Sequence, residues 1–186
     1  MILAIDIGNT NIVIGCCADG QVIFRERVST NPTATVLEYA AMLKMAFDMN
    51  RADITAVDGA ILSSVVPAVT LTMRDAVHKY LHLTPFVVGP GIKTGLRIHI
   101  DNPAQLGSDL VVDAVAGIHH YPLPQIIIDM GTATTVSVLD AEGGYRGGMI
   151  LPGIGVSMNS LTSRTAQLPR ISLDPPKRLI GKNTVE

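Results

Sequence analysis

Tryptophan is absent from this chain, and four tyrosines and three phenylalanines make up an aromatic share of only 4%. With so few rings, the core has to be filled by Val, Ile, Leu, Ala and Met. A hydrophobic fraction of 47% against 16% charged residues is enough to build one in a chain of 186 residues. Excess charge is lacking too: a net charge of −2 leaves no electrostatic footprint for nucleic acid or an anionic membrane surface. The one basic cluster, Pro176-Lys177-Arg178 with Lys182 nearby, is short and reads as solvated surface. Cysteine is limited to the adjacent Cys16 and Cys17, and vicinal cysteines rarely pair with each other, so no internal disulfide staples the fold. Ser63, Ser64 and Pro67 break the most apolar stretch, which excludes a membrane span there. The N-terminus has no basic segment, and Asp6 falls where a signal peptide needs its apolar centre. A cytoplasmic chain of one large or two small domains is expected.

What is present is one short phrase written twice. Leu3-Ala4-Ile5-Asp6-Ile7-Gly8-Asn9-Thr10-Asn11 returns as Ile126-Ile127-Ile128-Asp129-Met130-Gly131-Thr132-Ala133-Thr134. Asp6 and Asp129, Gly8 and Gly131, and the turns Ala18-Asp19-Gly20 and Ala141-Glu142-Gly143 all stand 123 positions apart, so the register between the copies is expected to hold throughout. Such self-similarity implies two related halves, each a strand, an acidic residue, a Gly-hydroxyl turn and a β-rich hairpin.

Between the copies, Val36, Leu37, Ala40, Ala41, Leu43, Met45 and Phe47 recur at helical spacing, residues 57–65 read as a strand, and Pro67 opens a second helix through Leu81. A short strand at 86–88 precedes the loop Gly89-Pro90-Gly91. Asp101-Asn102-Pro103 signals a helix start, and from Ser108 the positions Leu110, Val111, Ala114, Val115 and Ile118 trace a helix linking the halves. His78 and His82 are one turn apart but lack a third ligand and read as an exposed pair, while His119-His120 suits a helix C-terminus. The second half repeats strand, hairpin and strand over 125–151, then Pro152-Gly153 leads into a helix through Leu161.

An Asp-x-Gly-Asn-Thr turn at a strand end suits a phosphate site. Gly8 lets the backbone approach an oxyanion, Thr10 and Asn11 offer donors, and Asp6 can hold Mg²⁺ directly or through water. It is no P-loop, since no Gly-Lys-Ser/Thr follows. An ordinary Asn-rich turn would explain one copy, but not two at a single offset.

Paired hairpins of this kind resemble the actin, Hsp70 and sugar-kinase superfamily. More specifically, the chain resembles the type III pantothenate kinases through Asp6-Ile7-Gly8-Asn9-Thr10, Asp101-Asn102-Pro103 leading into Gly107-Ser108-Asp109, and Asp129-Met130-Gly131-Thr132-Ala133-Thr134-Thr135. The likeness continues through Gly147-Gly148-Met149-Ile150-Leu151-Pro152-Gly153, Arg164-Thr165-Ala166-Gln167-Leu168-Pro169 and Gly181-Lys182-Asn183-Thr184. The resemblance implies an α/β fold of two actin-like (ribonuclease H-like) domains with mixed sheets around a nucleotide cleft. Residues 1–118 would be the first domain and 119–186 a partial second one, cut short because family members continue past the Asn-Thr near Thr184. It implies transfer of the ATP γ-phosphoryl group to pantothenate, the first step of coenzyme A synthesis, by a cytoplasmic homodimer that binds neither nucleic acid nor membrane.

Site residues follow from the same resemblance. Asp6, Ile7, Gly8, Asn9, Thr10, Asn11, Ile12 and Val13 would form the first phosphate loop, with Thr132 from the second, and the stretch 147–153 would flank adenosine. Asp109 would be the general base. Gly107, Ser108, Asp109, Leu110 and Thr184 would meet pantothenate, Thr184 across a dimer interface. Asp129 would bind a monovalent cation, K⁺ or NH₄⁺, and Asp6 would hold Mg²⁺ through water. Taken alone, Asp109 also suits a helix N-terminal acid stabilised by the dipole.

Three positions depart from the family pattern, all on the acceptor side: Leu110 stands where an Arg is usual, Ile100 where a Tyr is, and Asp113 where an Asn is. An apolar side chain cannot make the charged contacts of an arginine, so weakened or altered acceptor use is expected. A second carboxylate one turn from Asp109 should raise the pKa of one of the pair unless a cation bridges them. A non-catalytic nucleotide-binding regulator on the same scaffold is the alternative reading. A phosphatase or sugar kinase is a third, opposed by the Asn-Pro to Gly-x-Asp stretch.

Overall fold

In the computed structural model, which describes residues 1–170 and 173–183, the alternating N-terminal segment folds into a meander of β1 (Ile2–Ile7), β2 (Asn11–Ala18) and β3 (Gln21–Ser29). Asp19 and Gly20 both take positive φ (50° and 73°) at its second turn, as a two-residue hairpin requires. Period-two alternation puts Leu3, Ile5, Ile7, Ile12, Ile14 and Cys16 on one face, where they are buried. Two helices cover that face, α1 (Val36–Met49) and α2 (Pro67–Leu81), contributing Leu43, Phe47, Val69, Met73 and Val77. Each fully buried Leu, Ile or Phe side chain stabilises by about 1.5–3 kcal/mol, so this layer carries most of the fold's hydrophobic free energy. A capping box between Thr35 and Glu38 starts α1, and Pro67 starts α2. The strands β4 (Gly59–Ser64) and β5 (Phe86–Val87) complete a mixed sheet in the order β3-β2-β1-β4-β5, with β4 parallel to β1.

The second sheet runs β6-β9-β8-β7. It comprises β6 (Arg97–Ile98), β7 (Gln125–Met130), β8 (Ala133–Leu139) and β9 (Gly144–Pro152). The two-residue β6, too short for any periodicity to mark, pairs parallel with β9. Helix α3 (Ser108–His120) packs on this sheet through Ala114 and Ile118, against Ile127, Leu139 and Tyr145. Its C-terminal His119 hydrogen-bonds the Val115 carbonyl at 2.8 Å. A last helix, α4 (Ile154–Arg164), follows β9.

The repeat is real, but its register slips by one residue and then recovers. Asp6 pairs with Val13 in the first hairpin and Asp129 with Thr135 in the second, so β8 follows β7 through a turn one residue shorter. Both copies carry a bulge at matching places, Cys16/Cys17 and Val138/Leu139. The following turn of the second copy is one residue longer, which restores the 123-residue offset at Gly20 and Gly143, both at positive φ.

The halves also differ in what covers them. Leu3, Ile5 and Ile7 are 0%, 2% and 0% exposed, whereas their counterparts Ile126, Ile128 and Met130 are 65%, 61% and 63% exposed. Strand β1 has β4 at its side, while the matching side of β7 has no partner among the described residues.

Candidate active site

Each meander delivers one acidic residue and one glycine turn to the same place. In the first turn, the Gly8 N–H donates to the Asn11 carbonyl at 2.9 Å, and a Cβ on Gly8 would stand 3.1 Å from that oxygen. Thr30, just past β3, clamps this loop: its hydroxyl donates to the Gly8 carbonyl (2.6 Å) and its N–H to the Thr10 carbonyl (2.9 Å). In the second turn, the Gly131 N–H donates to the Ala133 carbonyl at 3.0 Å. Gly153, at the start of α4, backs this loop by donating to the Thr132 carbonyl at 2.9 Å. No larger residue fits there, because a Cβ would lie 2.1 Å from the Gly131 oxygen. The two loops meet directly, with Thr10 Oγ1 2.7 Å from Thr132 Oγ1.

Around that contact lies a cleft of about 690 Å³, within the range of small-ligand sites. Asp6, Asn9, Thr10, Asp109, Asp129 and Thr132 line it. Asp109 reaches it by a specific anchor. Ser63 stands beside Asp6 in the β1–β4 register, and Ser64 ends β4. The buried Ser108 hydroxyl, in the first turn of α3, donates to the Ser64 carbonyl (2.9 Å) and accepts from the Ser64 N–H (3.0 Å) and the Ser63 hydroxyl (3.2 Å). This latch ties the helix to the strand end, and the next residue, Asp109, faces Asp6 and Asp129 across the cleft. One Asp109 oxygen accepts from the Leu110 N–H at 2.8 Å.

The carboxylates here sense one another. Burial raises the Asp6 pKa above the ordinary carboxylate value; the Ser63 hydroxyl partly opposes this, and the charges of Asp109 and Asp129 add to it. Asp113 is pushed up to about 6, first by burial and then by Asp129, Asp109 and Asp6. A site that gathers carboxylates against their own repulsion suits a cation. The groups here that can accept a metal, Asp6, Asp109 and Asp129 with the hydroxyls of Thr10 and Thr132, are all oxygens, the donor set of a hard divalent ion. Among the described residues no three metal-ligating side chains form a closed cage. A magnesium ion held by one or two carboxylates, water and nucleotide phosphates needs none.

The other expected residues fall as follows. Ile7 and Ile12 are fully buried in the first core, so only their backbone can serve a ligand. Gly8, Asn9, Thr10, Asn11 and Val13 line the cleft. Of the stretch 147–153, no residue lines it; Gly155, Val156 and Asn159 of α4 do. Leu110 is partly buried, Ile100 packs into the second core, and Thr184 lies outside the described residues. Sequence reasoning missed Thr30 and the serine pair 63–64, which it read only as interruptions of an apolar run. Nothing local marks either, because their function depends on partners 22 and 44 to 45 residues away. It also missed Arg27, which lines the cleft from β3.

The family model described as type III pantothenate kinase matches residues 2–186. A protein of that name from an Exiguobacterium species is 47% identical over the whole chain, and one from Halalkalibacterium halodurans is 42% identical; the chain spans 73% of the length of each. Among solved structures, a Baf-family transcriptional activator from Campylobacter jejuni superposes with a TM-score of 0.54 at 17% identity, over 95% of this chain and 68% of the other. An activator of 2-hydroxyisocaproyl-CoA dehydratase from Clostridium difficile, solved with bound ADPNP, gives 0.50 at 14% identity over 81% and 45%. At such identities these structures establish the fold alone, the actin-like ATPase fold with mixed sheets.

Proposed function

The chain belongs to the type III pantothenate kinase family and is a kinase that phosphorylates pantothenate with ATP in coenzyme A biosynthesis, and from that premise we propose that Asp109 is its general base. The observation that supports this reading is the meeting of Thr10 and Thr132 at 2.7 Å, which brings the two turns together in one cleft that Asp109 also lines, as a shared phosphate cradle would need. The matches do not favour a regulator or a paralogue with another acceptor.

Phosphoryl transfer depends chiefly on positioning and on neutralising charge. The backbone and hydroxyls of residues 6–13, with Thr132, hold the nucleotide phosphates in this account. The kinase needs a divalent metal, which we take to be Mg²⁺ held from Asp6 through water; when bound, it offsets charge on the phosphate oxygens. Asp129, at the equivalent strand end, holds a monovalent cation, K⁺ or NH₄⁺. Asp109 accepts the proton of the pantothenate hydroxyl, a task that asks only for hydrogen-bond reach. Gly107, Ser108 and Leu110 form the acceptor wall beside it, and Thr184 is assigned to pantothenate across a homodimer interface on the family resemblance. A cytoplasmic setting is assigned on the family resemblance; no described helix is long and apolar enough to cross a membrane.

A coupled ADP-release assay tests this division of roles. Turnover should need ATP, Mg²⁺ and pantothenate together, and should fall at least tenfold when K⁺ is replaced by a bulky organic cation. Undiminished turnover without K⁺ would remove Asp129's role.

A further inference from the structure

Three carboxylates line the cleft, and a nucleoside triphosphate brings several more negative charges. Among the described residues lining it, Arg27 is the one cationic side chain. Its place is fixed by sheet register. Asp6 pairs with Val13 and Val13 with Arg27, so the three share one row on one face of the sheet. Arg27 stands two strand spacings from Asp6, about 10 Å, a gap that a phosphate group and an extended guanidinium can fill between them.

The Arg27 guanidinium has no hydrogen bond or ion pair among the described residues. Three of the eight other arginines are engaged among the described residues: Arg74 pairs with Asp75, Arg146 with Asp140, and Arg97 donates to the Glu142 carbonyl; what sets Arg27 apart from the rest is that it lines the cleft. One row further along the same face is Arg25, opposite Gly15; it too is exposed, but it does not line the cleft. The strand therefore carries its own control.

We infer that Arg27 is a catalytic residue that binds the oxygens of the transferring phosphoryl group and neutralises the charge they carry. Guanidinium suits this task because its planar fork presents several donors to a phosphate and keeps its charge at any working pH. The inference rests on the reading of the cleft as the kinase site and adds to it the positive charge that the loops and carboxylates lack. No bond to Arg27 forms or breaks: the γ-phosphoryl group of ATP parts from its bridging oxygen, releasing ADP, and bonds to the pantothenate oxygen, while the hydroxyl proton goes to Asp109.

The test compares Arg27→Ala, Arg27→Lys and Arg25→Ala with the wild type in the coupled ADP-release assay, with ADP binding measured by calorimetry. R27A should lose about 100-fold or more in kcat, on the scale of charge-neutralising arginines in phosphoryl transfer. R27K should fall between R27A and wild type, ADP affinity should shift less than about threefold, and added guanidinium ion should restore part of the R27A rate. R25A should stay within about threefold of wild type. Thermal melts accompany each variant; should R27A fail to fold, R27K against R25A decides. Equal losses in R25A and R27A would reduce the effect to bulk charge and overturn the assignment. So would an R27A defect confined to the KM for pantothenate, which would move Arg27 to the acceptor carboxylate. An active wild type with an unaffected R27A refutes Arg27's role alone, whereas an inactive wild type refutes the kinase reading and Arg27's role with it.

Discussion

Asp113 shows how one side chain's chemistry is set by its surroundings. It follows Asp109 by one helical turn, and burial together with the charges of Asp129, Asp109 and Asp6 lifts its pKa to about 6. The folded state therefore binds a proton that the unfolded chain, with an ordinary aspartate near 3.8, releases earlier. Between these values the native state holds more protons, so this group's contribution to stability declines as pH rises from about 4 to about 6 and is flat above. Asparagine at 113 removes the term. Asp113→Asn should gain stability relative to wild type as pH is raised from 4 to 7, in urea melts of the ligand-free chain; a difference independent of pH would contradict the account. A second carboxylate one turn from Asp109 was legible in the sequence, and so was the upward direction of the shift for one of the pair. Its main cause was not: burial comes first, and burial cannot be read from two aspartates four residues apart.

At the scale of elements, the placement of α3 decides whether its acid faces the cleft. Within the helix, one Asp109 oxygen is held by the Leu110 N–H. The first turn itself is docked by Ser108, whose hydroxyl takes both backbone groups of Ser64 and the hydroxyl of Ser63. Ser108→Ala leaves the buried Ser63 hydroxyl and the partly buried backbone groups of Ser64 without this partner and should cost about 1–3 kcal/mol in stability. The kcat should fall with it, while ATP binding through the loops stays. A loss below about 0.5 kcal/mol by denaturant titration would show that the latch does not hold the helix. The helix was evident from its apolar spacing; the latch was not, because its partners lie on a strand 44 to 45 residues earlier.

At the scale of the whole molecule, two copies of one meander face each other and join at their first turns. The duplicated Asp-x-Gly phrase made both halves and both acids readable from sequence. The one-residue shift between β2 and β8 was hidden, since a shorter first turn and a longer second one cancel at the next glycine. The unequal cover was hidden as well: Leu3, Ile5 and Ile7 read much like Ile126, Ile128 and Met130, yet only the first set lies beneath helices. The proposed function divides labour between the loops, which would hold nucleotide, and α3, which would present the base. That division is tested most directly by Asp109→Asn, measured for pantothenate-dependent ADP release and for ADP binding on the same sample. The account predicts a loss of about 100-fold or more in kcat with ADP affinity within about threefold of wild type. Turnover close to wild type in Asp109→Asn would contradict it.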